Sequence, residues 1–311
     1  MLDYHLHLWP HSDTATPLDL DQIAAYCERA GAAGVVEVAL TEHLFRFTQA
    51  TDAVGRWWRQ DEPSEALRAS MAGYWDHHAR ADLDAYAEAV LEAKQAGLPV
   101  VMGLEVDYYR GRMDAVADLL AGYPFDVLLG SVHWLGAWRF DDLSDEVSMA
   151  EWSTRSVDGA FDAYAEALGE LAASGTCDVL AHPDLIKVTG RAPGRPEEWW
   201  DRMAEIAAGA GVAVELSSAG WRKPVAEQYP AHPLLVRYAA RGVPLTTASD
   251  AHRLEYVADR ADDLRALLDS VGVDHLRAYR RRQGHRLAVA PAPAAAGTPA
   301  PGAPARGDGG H

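Results

Sequence analysis

Short β-branched and apolar runs alternate with longer Ala/Glu/Leu-rich stretches of helical periodicity from the first residue to about Arg260. Such a rhythm predicts repeated β-α units. A parallel strand buried on both faces reads as a continuous apolar run, while its crossover helix keeps one polar face. Strands are predicted at Leu2–Leu8, Val35–Thr41, Val100–Val106, Val127–Val132, Val179–His182, Val212–Leu216 and Val243–Ala248, seven in all. Seven parallel strands lie nearer a closed barrel than a small open sheet, and the fold class is α/β. Helices are predicted at Pro17–Ala30, with Thr16 as cap and Gly31 as stop, and near Ala81–Ala96, Met113–Ala121, Ser156–Ala173, Glu197–Ala210, Pro233–Ala240 and Arg260–Ser270. Each lies between two strands or follows the last.

Two segments break the rhythm. Leu44–Arg80, with Trp57, Trp58, Trp75, His77 and His78, is a long stretch after the second strand. Loops of that length cover a site or hold an extra helix, so it is a lid candidate. From about Leu287 to His311 the chain is Ala/Pro/Gly-rich without apolar periodicity and is expected to be disordered. The expected organisation is one barrel domain over residues 1–286, with the 44–80 insert, followed by the 287–311 tail.

Composition narrows the function classes. The 311 residues are 49% hydrophobic, enough for a substantial core, and the net charge of −18 argues against a broad nucleic-acid or anionic-membrane surface. A phosphate-handling site would need its own local positive charge. Cys27 and Cys177 are too few for a disulfide framework, and neither belongs to a CxxC pair, so a reducing cytoplasm is the expected setting. Neither an export signal nor a membrane span is read from the chain.

The candidate chemistry gathers where strands end. His5 and His7 lie on the first strand, His43 follows the second, Glu105 ends the third and His133 follows the fourth, with His182, Asp250 and His252 continuing the series. In a barrel these ends converge on one face. His5 and His7 are two apart on a strand, so both rings point to one side and Leu6 to the other. A lone His-x-His is weak evidence, since an isolated histidine on an apolar face is more often a packed core residue; recurrence at successive strand ends makes the case. Eight mixed imidazole and carboxylate donors exceed what one ion takes, which points to two or three divalent transition-metal ions with a bridging carboxylate. His77, His78, His232, His275, His285 and His311 fall in helices, the insert or the tail, and read as solvated or packing residues outside the site.

The runs DYHLH, LTEH, GLEVD, GSVHWLGAWRFD, LAHPDLIK, SSAGWRKP and ASDAH resemble, in order, the successive motifs of the PHP superfamily (polymerase and histidinol phosphatase) of metal-dependent phosphoesterases. SVHWLGAWRFD, AHPDLIK and AGWRKPVAEQYP resemble its histidinol-phosphatase branch most. The resemblance implies a distorted, TIM-like (β/α)7 barrel. It also implies a trinuclear site of zinc, manganese or iron that hydrolyses L-histidinol phosphate to L-histidinol and phosphate in histidine biosynthesis. Carried over by position, its metal ligands are His5, His7, His43, Glu105, His133, His182, Asp250 and His252. Relatives place a further His or Asp five or six residues after the second histidine; here His11 comes four after and Asp13 six after, and His11 is favoured. Ser217-Ser218 stands where an Asn-Thr type pair is usual, and Trp221 and Arg139 are bulkier than expected.

Around the metals, Arg222 and Lys223 follow the sixth strand. Arg222 matches a phosphate-gripping position of the resemblance and could hold two phosphate oxygens in a bidentate fork, against the reading of a structural salt bridge. Lys187 and Arg139 are weaker phosphate candidates, because loop cations are often simply solvated. Trp134, Trp138 and Trp221 could stack on an imidazole or its ammonium group, or merely pack the rim. Asp184 and Glu215 are candidates for orienting a ligand from behind. The expected partner is a small phosphorylated substrate rather than long nucleic acid, with Asp250, His252 or a metal-bound water supplying the proton to the leaving oxygen. The alternatives are a phosphoesterase of the same superfamily acting on another small phosphate, a cyclic phosphodiester or a nucleotide, and a metal-binding protein without turnover.

Overall fold

A computed structural model describes residues 1–11, 18–59 and 62–289. The elements run β1 (Leu2–Leu6), α1 (Leu20–Ala32), β2 (Glu37–Leu40), α2 (Thr48–Val54), α3 (Glu65–His78), α4 (Leu83–Gln95), β3 (Val100–Asp107), α5 (Met113–Leu120) and β4 (Val127–Ser131). They continue with α6 (Glu146–Glu151), α7 (Val157–Ala173), β5 (Val179–Leu180), α8 (Pro196–Ala210), β6 (Ala213–Ser217), α9 (His232–Ala240), β7 (Leu245–Ala248), α10 (Ala261–Ser270), β8 (His275–Arg280) and β9 (Gln283–Ala288).

The first seven strands form one parallel sheet in sequence order. Nearly every residue of these strands is buried, as expected of strands packed on both faces. β1 and β7 nearly close the sheet into a barrel. The Thr247 hydroxyl donates to the Leu2 carbonyl at 2.7 Å and accepts from its N–H at 3.3 Å, and beyond the strands the His7 N–H donates to the Ala251 carbonyl at 2.8 Å. Asp3 reinforces the seam, accepting from the Ser249 N–H and hydroxyl, each at 2.7 Å.

Several predicted boundaries shift for local reasons. α1 starts at Leu20 because the Asp19 carboxylate accepts from the Asp21 N–H; the predicted cap Thr16 and start Pro17 lie outside the described residues. The insert folds into α2, α3 and two short 3-10 turns. β8 and β9 were not anticipated. They form an antiparallel hairpin under the N-terminal end of the barrel, where the Tyr279 N–H donates to the Tyr4 hydroxyl (3.1 Å) and Arg282 pairs with Asp178 (3.1 Å). Leu287 and Ala288, placed in the tail on sequence grounds, belong to this hairpin, and the rest of the tail from residue 290 lies outside the described residues. Among the described residues no helix is long and apolar enough to cross a membrane.

Candidate metal centre

The alternation of β1 sends Tyr4 and Leu6 one way and His5 and His7 the other, into the barrel mouth. There all eight predicted strand-end ligands meet around Glu105, which is fully buried. Glu105 Oε2 lies 2.7 Å from His43 Nδ1, 3.1 Å from His5 Nε2 and 3.5 Å from His7 Nε2. Its Oε1 lies 3.0 Å from His182 Nε2 and 3.3 Å from His133 Nε2. Asp250 Oδ1 is 3.6 Å from both His7 Nε2 and His252 Nδ1. Donor atoms within 4.8 Å of one another form four overlapping triads: His7, His43, His252; His5, Glu105, His182; His5, His7, Asp250; and His43, Asp107, His133. Among the described residues, buried nitrogens of His5, His7, His43 and His252 and Oε2 of Glu105 have no partner in hydrogen-bond geometry. Orphaned lone pairs cost free energy wherever they are buried, and here they point at one another across a small space. The donor set fits divalent metal ions.

Carboxylates behind the rings fix their orientation. Glu215 Oε2 sits 2.8 Å from His5 Nδ1, the orienting position the sequence suggested for it, and its Oε1 accepts from the His182 N–H at 3.2 Å. Asp107 Oδ1 is 2.6 Å from His133 Nδ1. Glu42 Oε2 lies 3.6 Å from His7 Nδ1 while its Oε1 accepts from the Leu8 and Trp9 N–H groups (2.6 and 2.9 Å). Sequence reasoning missed Asp107 and Glu42. The signal for Asp107 was its place two residues after Glu105 on a buried strand, hence on the same face.

The electrostatics divide the rings, favouring the proton on His5, His7 and His133 and the neutral form on His43 and His252. Burial disfavours charge on His5, yet Glu105, Glu215 and Asp250 outweigh it and hold the ring well above the usual histidine range. Burial drives His43 and His252 well below that range, leaving neutral imidazoles with free lone pairs. Burial would raise Glu105, but the surrounding histidines, with His5 and His133 carrying the charge, hold it far below the usual carboxylate range. His182 (φ 26°) and Asp250 (φ 50°) adopt left-handed backbone, which costs a non-glycine residue about 1–3 kcal/mol and persists only where the surroundings enforce it.

Among the described residues, the other predicted ones join none of these triads. His11 stacks on His252 at the mouth (ring centroids 3.6 Å apart) but joins none of the four triads, and its alternative Asp13 lies outside the described residues. Arg222 donates through Nη2 to the Ser249 and Asp250 carbonyls (2.6 and 3.2 Å) and pairs through Nη1 with Asp259 at 2.9 Å. It clamps the Asp250 loop rather than offering a free fork to phosphate. Lys187 Nζ is taken up by Asp184 (3.0 Å), Glu227 (2.6 Å) and the Gln228 carbonyl (2.9 Å), which accounts for its three N–H bonds. Arg139 is held by Asp142, Asp145 (3.1 Å) and the Ser70 hydroxyl (2.8 Å). Asp184 accepts from the Ala231 N–H at 2.7 Å and touches no ligand. Trp138 is buried against Trp152 and Trp221 lies under Arg260, neither in the cavity.

A cavity of about 570 Å³ opens beside the centre. His43, His133 and Trp134 line it from the barrel, and Tyr74, His77 and His78 from α3 of the insert. The two insert histidines, set aside on sequence grounds, thus face this space without joining a metal triad.

A PHP domain model matches residues 3–219. A Deinococcus radiodurans protein named "Probable histidinol-phosphatase" is 32% identical over 275 residues, 88% of this chain and 94% of the relative. Among solved structures, a Listeria monocytogenes protein provisionally named a histidinol phosphatase superposes with a TM-score of 0.66 at 17% identity, covering 85% of this chain and 99% of that one. Histidinol phosphate phosphatase from Lactococcus lactis, crystallised with zinc, L-histidinol and phosphate, gives 0.63 at 17% identity, covering 91% and 98%. At such identities the two structures speak for the fold, and both share this barrel. The domain model spans most of the chain and the Deinococcus relative nearly all of it, so the chain belongs to the PHP domain family.

Proposed function

We propose that this chain, a phosphoric monoester hydrolase, hydrolyses L-histidinol phosphate to L-histidinol and phosphate, using two or three divalent transition-metal ions (zinc, manganese or iron). The observation that carries the reading is Glu105, whose two oxygens face five imidazole nitrogens within 3.5 Å, the arrangement of a bridging carboxylate between ions. His5, His7, His43, His133, His182, Asp250 and His252 would complete the ligand set. When bound, such ions acidify a water and neutralise the phosphoryl oxygens.

The protein's own residues then orient and enclose. Glu215, Glu42 and Asp107 keep the Nδ1 sides of His5, His7 and His133 turned away from the centre, so that the Nε2 atoms face it. Asp250 is held ionised, chiefly by His5 against its burial, and His252 is neutral. Both therefore present lone pairs rather than protons, and ligation suits them better than the acid role first expected; the leaving oxygen takes its proton from water in the open cavity. Support for histidinol phosphate in particular comes from the Deinococcus relative and from what the Lactococcus protein binds.

Steady-state kinetics on L-histidinol phosphate, beside phosphate monoesters, cyclic phosphodiesters and nucleotides, test the substrate, with elemental analysis of the same sample. A kcat/KM on another ester well above that on histidinol phosphate would replace the substrate. Fully metallated protein inert on every ester would replace the enzyme with a metal-binding protein.

A further inference from the structure

The cavity beside Glu105 is lined by two charged side chains, Lys223 and Asp141, that attract each other but make no hydrogen bond or ion-pair contact among the described residues. Four other cations surround this face, and each is engaged: Arg46 with the Pro10 carbonyl, Arg139 with Asp142 and Asp145, Lys187 with Asp184 and Glu227, and Arg222 with Asp259 and two carbonyls. Lys223 also lines the cavity, half-buried, and its side chain has no hydrogen bond or ion pair among the described residues. The acids divide the same way. Asp142 accepts from Arg139 and Ser144, whereas Asp141, partly buried in the same lining, accepts from nothing described. Phe45, Tyr74 and Trp134 supply an aromatic wall, with Phe45 at its centre 5.3 Å from Tyr74 and 5.8 Å from Trp134.

An ammonium and a carboxylate that line one cavity without a hydrogen-bond partner, and that attract each other without touching, can each gain a contact from a ligand carrying both charges. Lys223 asks for an anion and Asp141 for a cation, while the rings accept a flat group or the face of a cation. We infer that Lys223 binds the phosphate of the substrate and Asp141 its ammonium group, so that the site selects phosphate monoesters of amino alcohols. This rests on the phosphatase reading above and narrows it, since L-histidinol phosphate is one such ester.

The test compares L-histidinol phosphate with its desamino analogue, which keeps ring and phosphate but lacks the amine, on the metallated full-length enzyme. Wild type should prefer the amine-bearing ester by roughly ten- to a hundred-fold in kcat/KM, the size of one charge-assisted contact, and Asp141→Asn should bring that ratio towards one. Lys223→Met should lower kcat/KM on both esters alike. A preserved ratio in folded, metallated Asp141→Asn overturns the assignment. Should that variant fail to fold, inhibition of wild type by L-histidinol and by its desamino analogue decides: equal inhibition overturns the proposal, and tenfold tighter binding of the amine supports it. If wild type ignores histidinol phosphate but cleaves O-phosphoethanolamine in an Asp141-dependent manner, the substrate reading fails and this inference stands. If it cleaves histidinol phosphate and its desamino analogue equally well, the inference fails and the substrate reading stands.

Discussion

Arg222→Ala separates a clamp on the metal centre from a grip on the substrate. The guanidinium donates to the carbonyls of Ser249 and Asp250, and its side chain is only 21% exposed, so screening is modest. Hydrogen bonds from a charged donor are worth about 1.5–3 kcal/mol each, whereas the pair with half-exposed Asp259 adds at most about 1 kcal/mol. The left-handed backbone of Asp250 costs about 1–3 kcal/mol, the same size as what Arg222 supplies. Without the clamp Asp250 should leave its place facing His7 and His252 in a sizeable fraction of molecules. The expected result is a roughly 10–100-fold weaker affinity for the most loosely held ion, as is usual when a group behind a ligand is removed. The melting temperature should fall, and excess metal should restore much of kcat. Lysine at 222 should rescue only in part, since a point charge cannot reach both carbonyls and Asp259 together. Competition with a chelator, read by elemental analysis, measures the affinity on the preparation used for kinetics. A variant with wild-type metal affinity and melting temperature, but with KM for every phosphate ester raised tenfold or more, would refute the clamp and return Arg222 to the phosphate.

Three further outcomes follow from the same geometry. Glu105→Ala should lose at least one ion per chain and about a hundred-fold or more in kcat, because five imidazoles lose their shared carboxylate; full metal content with near-normal kcat would refute the bridge. Glu215→Gln should weaken metal binding about ten-fold or more while leaving the fold intact, and a circular dichroism spectrum changed along with the metal content would instead make Glu215 a core residue. A chain ending at Ala290 should fold and work as the full chain does, since the last hairpin bond is from the Val289 N–H to the Asp274 carbonyl. One ending at Asp274 should melt markedly lower, because buried Leu276 and Tyr279 together contribute about 3–6 kcal/mol; equal melting temperatures for the two truncations would show the hairpin to be dispensable.

The barrel was legible because its signal is collective. Seven buried parallel strands each read as an apolar run, and helices such as α7, where the Ser156 hydroxyl accepts from the Gly159 N–H, carry their caps in the sequence. The hairpin was not legible, for a local reason. Its turn is Arg281-Arg282, with φ of 48° and 61°, where such turns ordinarily announce themselves by Asn-Gly or Asp-Gly. Tertiary contacts supply what the turn residues do not: Asp126 accepts from the Arg281 N–H through its side chain (3.2 Å) and from the Arg282 N–H through its carbonyl (2.8 Å). A strand pair held by the rest of the fold leaves little trace in its own residues.

The site divides along the same line. Candidate ligands at strand ends were readable because the barrel fixes where a strand end goes, whatever the loop does next. Cations on loops were not, because sequence gives their charge but neither their direction nor their neighbours. Arg222 and Lys223 are adjacent in one short turn, and the turn decides between them. Gly220 opens it where a Cβ would collide with the Glu227 carbonyl oxygen, so the chain doubles back tightly there. That packing leaves Arg222 against Ser249, Asp250 and Asp259, and Lys223 on the cavity. Arg222 has the better fork for phosphate, but three of its five N–H donors already go to two carbonyl oxygens and a carboxylate. A cation is available to a substrate only to the extent that the protein has not already neutralised it, and by that criterion the lysine is the better phosphate candidate of the pair.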